Sequence, residues 1–240
     1  MAMAAMNLPR AQAQGLRRAV PDTLAALVAE VSGIVGDPSV SEDDVVRALG
    51  RGLYAAAAAT RLPDLAAWAE LAFAPGQADA PMPADLMHGP VDAFLLPARG
   101  RVRLAPDLAA LRRSHPGLPP GRPRLAAIGG GRLHVRPVPG EEVVIGFDYL
   151  RLPSPLVGPG DKPEGLPPHL AGPLLTAYAC RELFERLEEG ADGGKTQTTA
   201  YARRYEGLLA ELVGAFGPRQ REAVDVPHAA DPYGFGEDWP

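Results

Sequence analysis

A single cysteine, Cys180, occurs in 240 residues. This excludes an intramolecular disulfide and a structural zinc site built on cysteines. Cys180 falls in an amphipathic helical stretch, where it reads as a small buried apolar side chain; a catalytic thiol would need a base beside it. Aromatics are sparse at 6%, and alanine supplies much of the 46% apolar fraction. Alanine buries little area, so the core must rest on Leu, Val, Phe and Tyr. No apolar run of about eighteen residues is present, so no membrane-spanning helix is expected. In the opening MAMAAMNLPRAQAQGLRRAV the arginines follow a short apolar segment, the reverse of a signal peptide's order. Residues 1–20 are expected to form an N-terminal arm. The net charge is −5 and no long basic cluster stands out. That argues against a protein whose affinity comes from neutralising phosphates in a groove, although a ring could still turn a few arginines toward DNA.

Catalytic signatures are also missing. His88, His115, His134, His169 and His228 do not fall at metal-ligand spacing from one another or from an acid on one helix face. There is no GxSxG elbow. Gly129-Gly130-Gly131 is followed by the strand-like Arg132-Leu133-His134-Val135, so it reads as a hairpin turn and not as a dinucleotide loop. Gly193-Gly194-Lys195-Thr196 resembles the end of a P-loop, but Glu189 stands where the upstream glycine belongs, and a helix precedes it. Acidic pairs such as Asp43-Asp44 and Glu188-Glu189 read as solvated charges at helix ends. No catalytic residue, cofactor or metal is expected.

What is present is a clear order of elements. Leu24, Leu27, Val28, Val31 and Val35 recur at helical spacing, and Gly36-Asp37-Pro38 ends that helix. Ser41 caps the next helix, with Glu42, Asp43 and Asp44 at its positive end and Ala55–Ala59 offering a close-packing face. Leu62-Pro63-Asp64-Leu65 breaks the pattern and is expected to start a short helix to Phe73. Residues 74–90 read as a loop or long crossover. Strands are expected at 91–96 and 102–104, with a short helix over 107–113. Alternation over 124–128, 132–136 and 142–152, separated by two glycine turns, predicts a three-stranded meander. A Pro/Gly-rich connection over 153–168 leads to two helices, 170–188 and one started by Thr198 or Thr199 and stopped by Gly217-Pro218, forming an antiparallel hairpin. The tail is rich in proline and glycine yet carries Tyr233, Phe235 and Trp239, which suits packing on its own domain or on another subunit equally.

These features together resemble the head-to-tail adaptor, or head-completion, proteins of tailed double-stranded DNA bacteriophages. The resemblance begins at Val40-Ser41-Glu42-Asp43-Asp44-Val45-Val46-Arg47-Ala48-Leu49 and at Leu62-Pro63-Asp64-Leu65. It continues through Pro123–Ile128, Leu133-His134-Val135, Pro137-Val138-Pro139 and Phe147–Pro153. It closes with Pro167–Leu170, Tyr178-Ala179, Leu183-Phe184, Tyr201 and Tyr205. It spans about residues 40–216 and leaves both arms outside. It implies a structural protein without turnover, made in the host bacterial cytoplasm and placed at the neck of the virion. Its copies would form a ring, commonly a dodecamer, docked on the portal protein and presenting a surface to tail or neck proteins. The ring would extend the DNA channel, help retain the genome and touch packaged double-stranded DNA non-specifically, with no role at a membrane.

The expected fold is α+β: an antiparallel helical bundle (21–75 and 168–217), a β-rich meander insertion (90–155), an N-terminal arm (1–20) and an extended C-terminal tail (218–240). Expected interface residues are Arg99, Arg101 and Arg103, the most basic short segment, and Tyr233, Phe235 and Trp239 of the tail. Arg112-Arg113 and Arg203-Arg204 are lesser basic segments. Alternatives are another neck or tail-completion protein, a small enzyme of unrecognised type, and a DNA-binding regulator, which would need a basic recognition helix.

Overall fold

The computed structural model describes residues 22–90, 92–97, 100–114, 119–189 and 194–217. Both expected arms and the turn at 190–193 lie outside the described residues. The protein is α+β, with helices and a large mixed sheet. It divides into two compact units: a helical one from Met1–Ala59 and Pro153–Phe216, and a β one from Thr60–Leu152 and Gly217–Pro240.

In the helical unit, α1 (Leu24–Val35) and α2 (Glu42–Ala59) are followed, after the β unit, by α4 (Pro168–Leu187) and α5 (Thr196–Phe216). The helix α4 touches α1, α2 and α5 and buries Leu174, Leu175, Ala177, Ala179 and Cys180 completely. Small residues set the α2–α4 approach. Ala56 and Ala57 are fully buried, and a Cβ at Gly52 would lie 3.0 Å from the Tyr178 ring. Aromatic pairs join α4 to α5. Tyr178 meets Tyr205 edge-on at 5.2 Å, Phe184 stacks on Tyr201 at 5.5 Å, and the Arg181 guanidinium lies 4.5 Å from the Tyr178 ring centre.

Helix ends are satisfied by side chains and by the connection at 153–167. Ser41 and Asp44 form a reciprocal cap: Ser41 N–H and Oγ donate to Asp44 Oδ2 at 3.1 and 2.7 Å, and Asp44 N–H donates to Ser41 Oγ at 3.2 Å. Arg47 and Arg186 both donate to Asp44 Oδ1, at 2.9 and 3.2 Å, so the cap also ties α2 to α4. The Pro/Gly-rich connection is fixed on α1, because Leu24 and Ala25 N–H groups donate to the carbonyls of Asp161 and Pro159. Pro153, Leu156, Pro163 and Leu166 of this segment are buried.

The β unit differs from the sequence expectation in three ways. A single 3-10 turn, Pro63–Leu65, is followed by strand β1 (Ala66–Phe73) and not by a helix. The alanines there favour helix, but β1 pairs along its whole length with β8 (Val143–Arg151), and this pairing outweighs local propensity. The expected loop at 74–90 contains two short strands, β2 (Asp79–Pro81) and β3 (Leu86–His88). The expected strands and short helix are β4 (Ala93–Leu96), β5 (Gly100–Leu104), α3 (Leu108–Ser114), β6 (Leu125–Gly129) and β7 (Arg132–Arg136).

The third difference concerns the meander. β6 and β7 form the expected hairpin, but β8 does not pair with β7. The strand order is β1-β8-β4-β5-β6-β7-β2, with β3 also on β8. Both edges of β7 are taken by β6 and β2, so the turn at Pro139-Gly140 carries the chain across to β1 and β4. The two ends of the path, β1 and β2, also touch, and Gly76 N–H donates to the Pro139 carbonyl at 2.8 Å. The sheet is therefore a nearly closed barrel. Its inside is filled by Phe73, Val102, Leu133, Val135, Ile145 and Phe147, and inward residues alternate with outward ones along each strand.

Two predictions follow from the helical unit. Bonds from Arg186, Ser41 and Arg47 hold the Asp44 carboxyl far below its ordinary range. Thr198, the largest cause, and Gln197 lower Glu188, and the backbone N–H groups of Val157 and Gly158 lower Asp161. A depressed carboxyl stabilises the fold above its unfolded pKa, and that stabilisation is lost as pH falls through the folded value. Thermal melts are expected to show a midpoint that drops steadily below about pH 4, and Asp44→Asn is expected to flatten part of that drop. Burial pushes the Cys180 thiol up to about 12. A thiol reagent at pH 8 is therefore expected to leave Cys180 unmodified in the native protein and to label it fully in denaturant, as read by mass spectrometry.

Candidate functional site

Among the described residues, no group of three or more His, Cys, Asp or Glu side chains lies where it could hold a metal ion. Gly130 and Gly131 both have positive φ, 59° and 70°, and close the β6–β7 hairpin as a two-residue turn. The segment Gly194-Lys195-Thr196 opens α5, and the anion at that helix end is the chain's own. Glu188 accepts from the N–H groups of Gln197 and Thr198 at 2.9 and 3.0 Å and from Thr198 Oγ1 at 2.7 Å. Glu188 is thus a helix cap supplied by the end of α4, where the sequence reading had a solvated charge.

The dominant feature of the β unit is charge segregation. Residues 93–140 carry nine arginines and a single acid, Asp107, a net charge of +8 within a chain of net −5. Along the sequence these arginines are dispersed, so no long basic cluster stands out there. Chain alternation decides where these arginines point. On β5, Val102 faces the barrel interior, so Arg101 and Arg103 face out. On β7, Leu133 and Val135 face in, so Arg132, His134 and Arg136 face out. Between them the outer side of β6 is covered by α3. A Cβ at Gly129 would clash with Leu108, and Leu111 is buried. The last turn of α3 carries Arg112 and Arg113, both exposed.

Arg103 and Arg136 both lie opposite Leu125 of β6, and backbone bonds fasten Arg124 beside them. Arg103 N–H donates to the Arg124 carbonyl at 2.9 Å, and Arg124 N–H donates to the Arg136 carbonyl at 2.9 Å. The Arg122 guanidinium approaches Gly100 at the start of β5. Two arginines are neutralised: Arg101 donates to Asp92 at 2.6 Å, and Arg132 pairs with Asp79. Among the described residues, Arg103, Arg112, Arg113, Arg122 and Arg124 have no carboxylate partner, and each is exposed.

Of the expected interface residues, Arg101 and Arg103 therefore stand on the outer face of β5. Arg99, Tyr233, Phe235 and Trp239 lie outside the described residues. Arg203 and Arg204 are exposed on α5. Sequence reasoning missed Arg122, Arg124, Arg132 and Arg136, which glycines and prolines separate along the chain and strand pairing brings together. The available signal was the near-absence of acids over 93–140.

The other half of the barrel wall, β1-β8-β4, has a different outer face. Trp68, 47% exposed, lies across Gly146, where a Cβ would fall 2.2 Å from the ring, and donates from Nε1 to Glu70 at 3.0 Å. Phe94 and Leu96 stand beside it on β4, opposite Gly146 and Val144. This side of the outer wall thus carries an exposed tryptophan with two acids, Glu70 and Asp148, and the other side carries arginines.

Comparison with known proteins agrees with the family resemblance. No curated protein matches the chain. The family described as SU10 adaptor protein matches residues 22–230. The match takes in α1 and the start of the tail, and so reaches beyond the 40–216 span read from the sequence. It supports a structural component of a phage particle that interacts with other head or tail proteins. With nearly the whole chain matched, the protein belongs to the SU10 adaptor protein family, a family of phage adaptor proteins.

Proposed function

We propose that this protein is a head-to-tail adaptor whose copies close into a ring between the portal and the tail, extend the DNA channel and help retain the packaged genome. The family match over residues 22–230 carries this reading. The protein acts by binding and assembly, with no turnover, no cofactor and no metal, at the neck of the virion after synthesis in the host cytoplasm. The helices act as an antiparallel bundle that packs beside the portal and neighbouring subunits, and the β unit faces the tail side. A closed ring repeats one heterologous contact around its axis, which suits a chain whose two units differ in structure and charge.

Arg99, Arg101 and Arg103, together with Tyr233, Phe235 and Trp239, are proposed as interface residues. Arginine and aromatic side chains are residue types that anchor protein contacts. Non-specific contact with packaged double-stranded DNA belongs to the same reading.

Electron microscopy of the protein mixed with the portal protein of the same genome tests the placement. A closed collar stacked on the portal is expected, and its symmetry counts the subunits, a dodecamer being the expectation. A bare portal beside unassembled protein would overturn it. Deleting residues 219–240, or reversing the charges at Arg99, Arg101 and Arg103, is expected to abolish the collar or its capture of tail proteins. Unchanged assembly in both variants would remove these residues from the interface.

A further inference from the structure

We infer that residues 222–240, the acidic and aromatic end of the chain, dock intramolecularly on the arginine-bearing outer side of β5 and β7 and the end of α3. This deepens, and rests on, the reading of Tyr233, Phe235 and Trp239 as contact residues, and it is independent of any placement on the portal. Three observations carry it.

The first is charge complementarity within one chain. Residues 93–140 carry a net charge of +8, whereas residues 222–240 contain Glu222, Asp225, Asp231, Glu237 and Asp238 and no Lys or Arg. Among the described residues, Arg103, Arg112, Arg113, Arg122 and Arg124 are exposed and have no carboxylate partner. Like charges gathered on one small wall repel one another, and an acidic segment relieves that repulsion.

The second is where the tail starts. The Gly217 carbonyl accepts from Thr60 Oγ1 at 2.7 Å, and Thr60 is fully buried where the β unit begins. The tail therefore leaves from the β unit itself. Extended chain from Gly217 reaches about 17 Å by Glu222 and about 75 Å by Trp239, enough for any part of a barrel wall whose strands lie about 4.8 Å apart. Tethering makes the encounter intramolecular, so individually weak contacts suffice to hold the segment.

The third is residue chemistry, which also selects the face. Arginine accepts both parts of such a segment: its planar fork matches a carboxylate, and its flat cation stacks on aromatic rings. The chain already uses the second contact, with the Arg181 guanidinium 4.5 and 5.2 Å from the Tyr178 and Tyr205 ring centres. The arginine side has no Phe, Tyr or Trp of its own between Phe94 and Phe147, and the tail supplies three. The opposite wall is the wrong partner, because Glu70 and the exposed Asp148, paired across from Trp68, would repel the tail acids.

The full chain carrying Arg103→Lys or Arg112→Lys keeps its charge and gains an amine that a carbodiimide can join to a carboxylate. Dilute protein is treated at about 50 and about 500 mM NaCl, where screening shortens from about 14 to about 4 Å, and the products are mapped by mass spectrometry. Links from position 103 or 112 to acids of 222–240 are expected within single chains at low salt and are expected to vanish at high salt. Arg203→Lys on α5 is expected to give none. Independently, trimming of the tail by a carboxypeptidase is expected to quicken by roughly threefold for each of Arg103→Gln and Arg124→Gln, with folding checked by circular dichroism. The inference is overturned by absence of tail links, by equal linking in Arg203→Lys, by links found only between two chains, or by trimming that neither variant alters. A collar on the portal formed by a chain without tail links would sink this inference alone. Tail links without a collar would sink the adaptor placement alone.

Discussion

The β unit depends on one strand. β8 runs from Val143 to Arg151 and is paired along one edge by β1 and along the other by β4, with β3 added at its end. Three chain segments that are distant in sequence meet only there. Phe147 and Ile145 project from β8 into the barrel, and both are fully buried. The strand therefore supplies the backbone ladder and the centre of the core together. Because β8 comes last of the eight, β1, β3 and β4 cannot complete their ladders until the chain beyond Gly140 has been placed. Such non-local pairing must overcome loop-closure entropy before any contact rewards it.

The helical unit is organised on a comparable principle with other means. α4 takes the central place, and its neighbours are attached by small residues, aromatic pairs and a shared carboxylate. Asp44 is at once a helix cap and the acceptor for two guanidinium groups from different helices. Its value lies in position more than in energy, because exposed ion pairs contribute little on their own. The connection at 153–167, loop-like in composition, serves as the cap of α1 and buries Leu156 and Leu166 beneath it. Loop composition and loose structure are separate matters here.

Much of this was legible in the sequence where the signal is local. Ser41 followed three residues later by Asp44 announces the start of α2, and the alternation over 142–152 identifies β8. The Gly130-Gly131 turn likewise marks the β6–β7 hairpin. What escaped was set by partners distant along the chain. Ala66–Phe73 is rich in good helix formers and became a strand because β8 offered it eight paired positions. β2 and β3 are three residues each, too short for any periodicity to register. β8 was assigned to the wrong neighbour because adjacency in sequence suggested β7, whose edges were already filled. The same reason hid the basic face. Arg101 and Arg103 sit close enough to be noticed, whereas Arg124 and Arg136 join them only through cross-strand hydrogen bonds. The family resemblance was legible earlier than the topology, because order and spacing survive an error in strand pairing.

The near-closure of the barrel has a consequence wherever identical copies of a chain are held close together. A strand with unpaired N–H and C=O groups is a template for any neighbouring chain, and crowding identical subunits multiplies the chances of zipping edge to edge into an open-ended aggregate. Here β1 and β2, the last strands of the path, lie against each other, and β2 is only three residues long. Little backbone is left to recruit a stranger. Any contact between copies in the proposed ring would then be read through side chains, whose shape and charge can be specific.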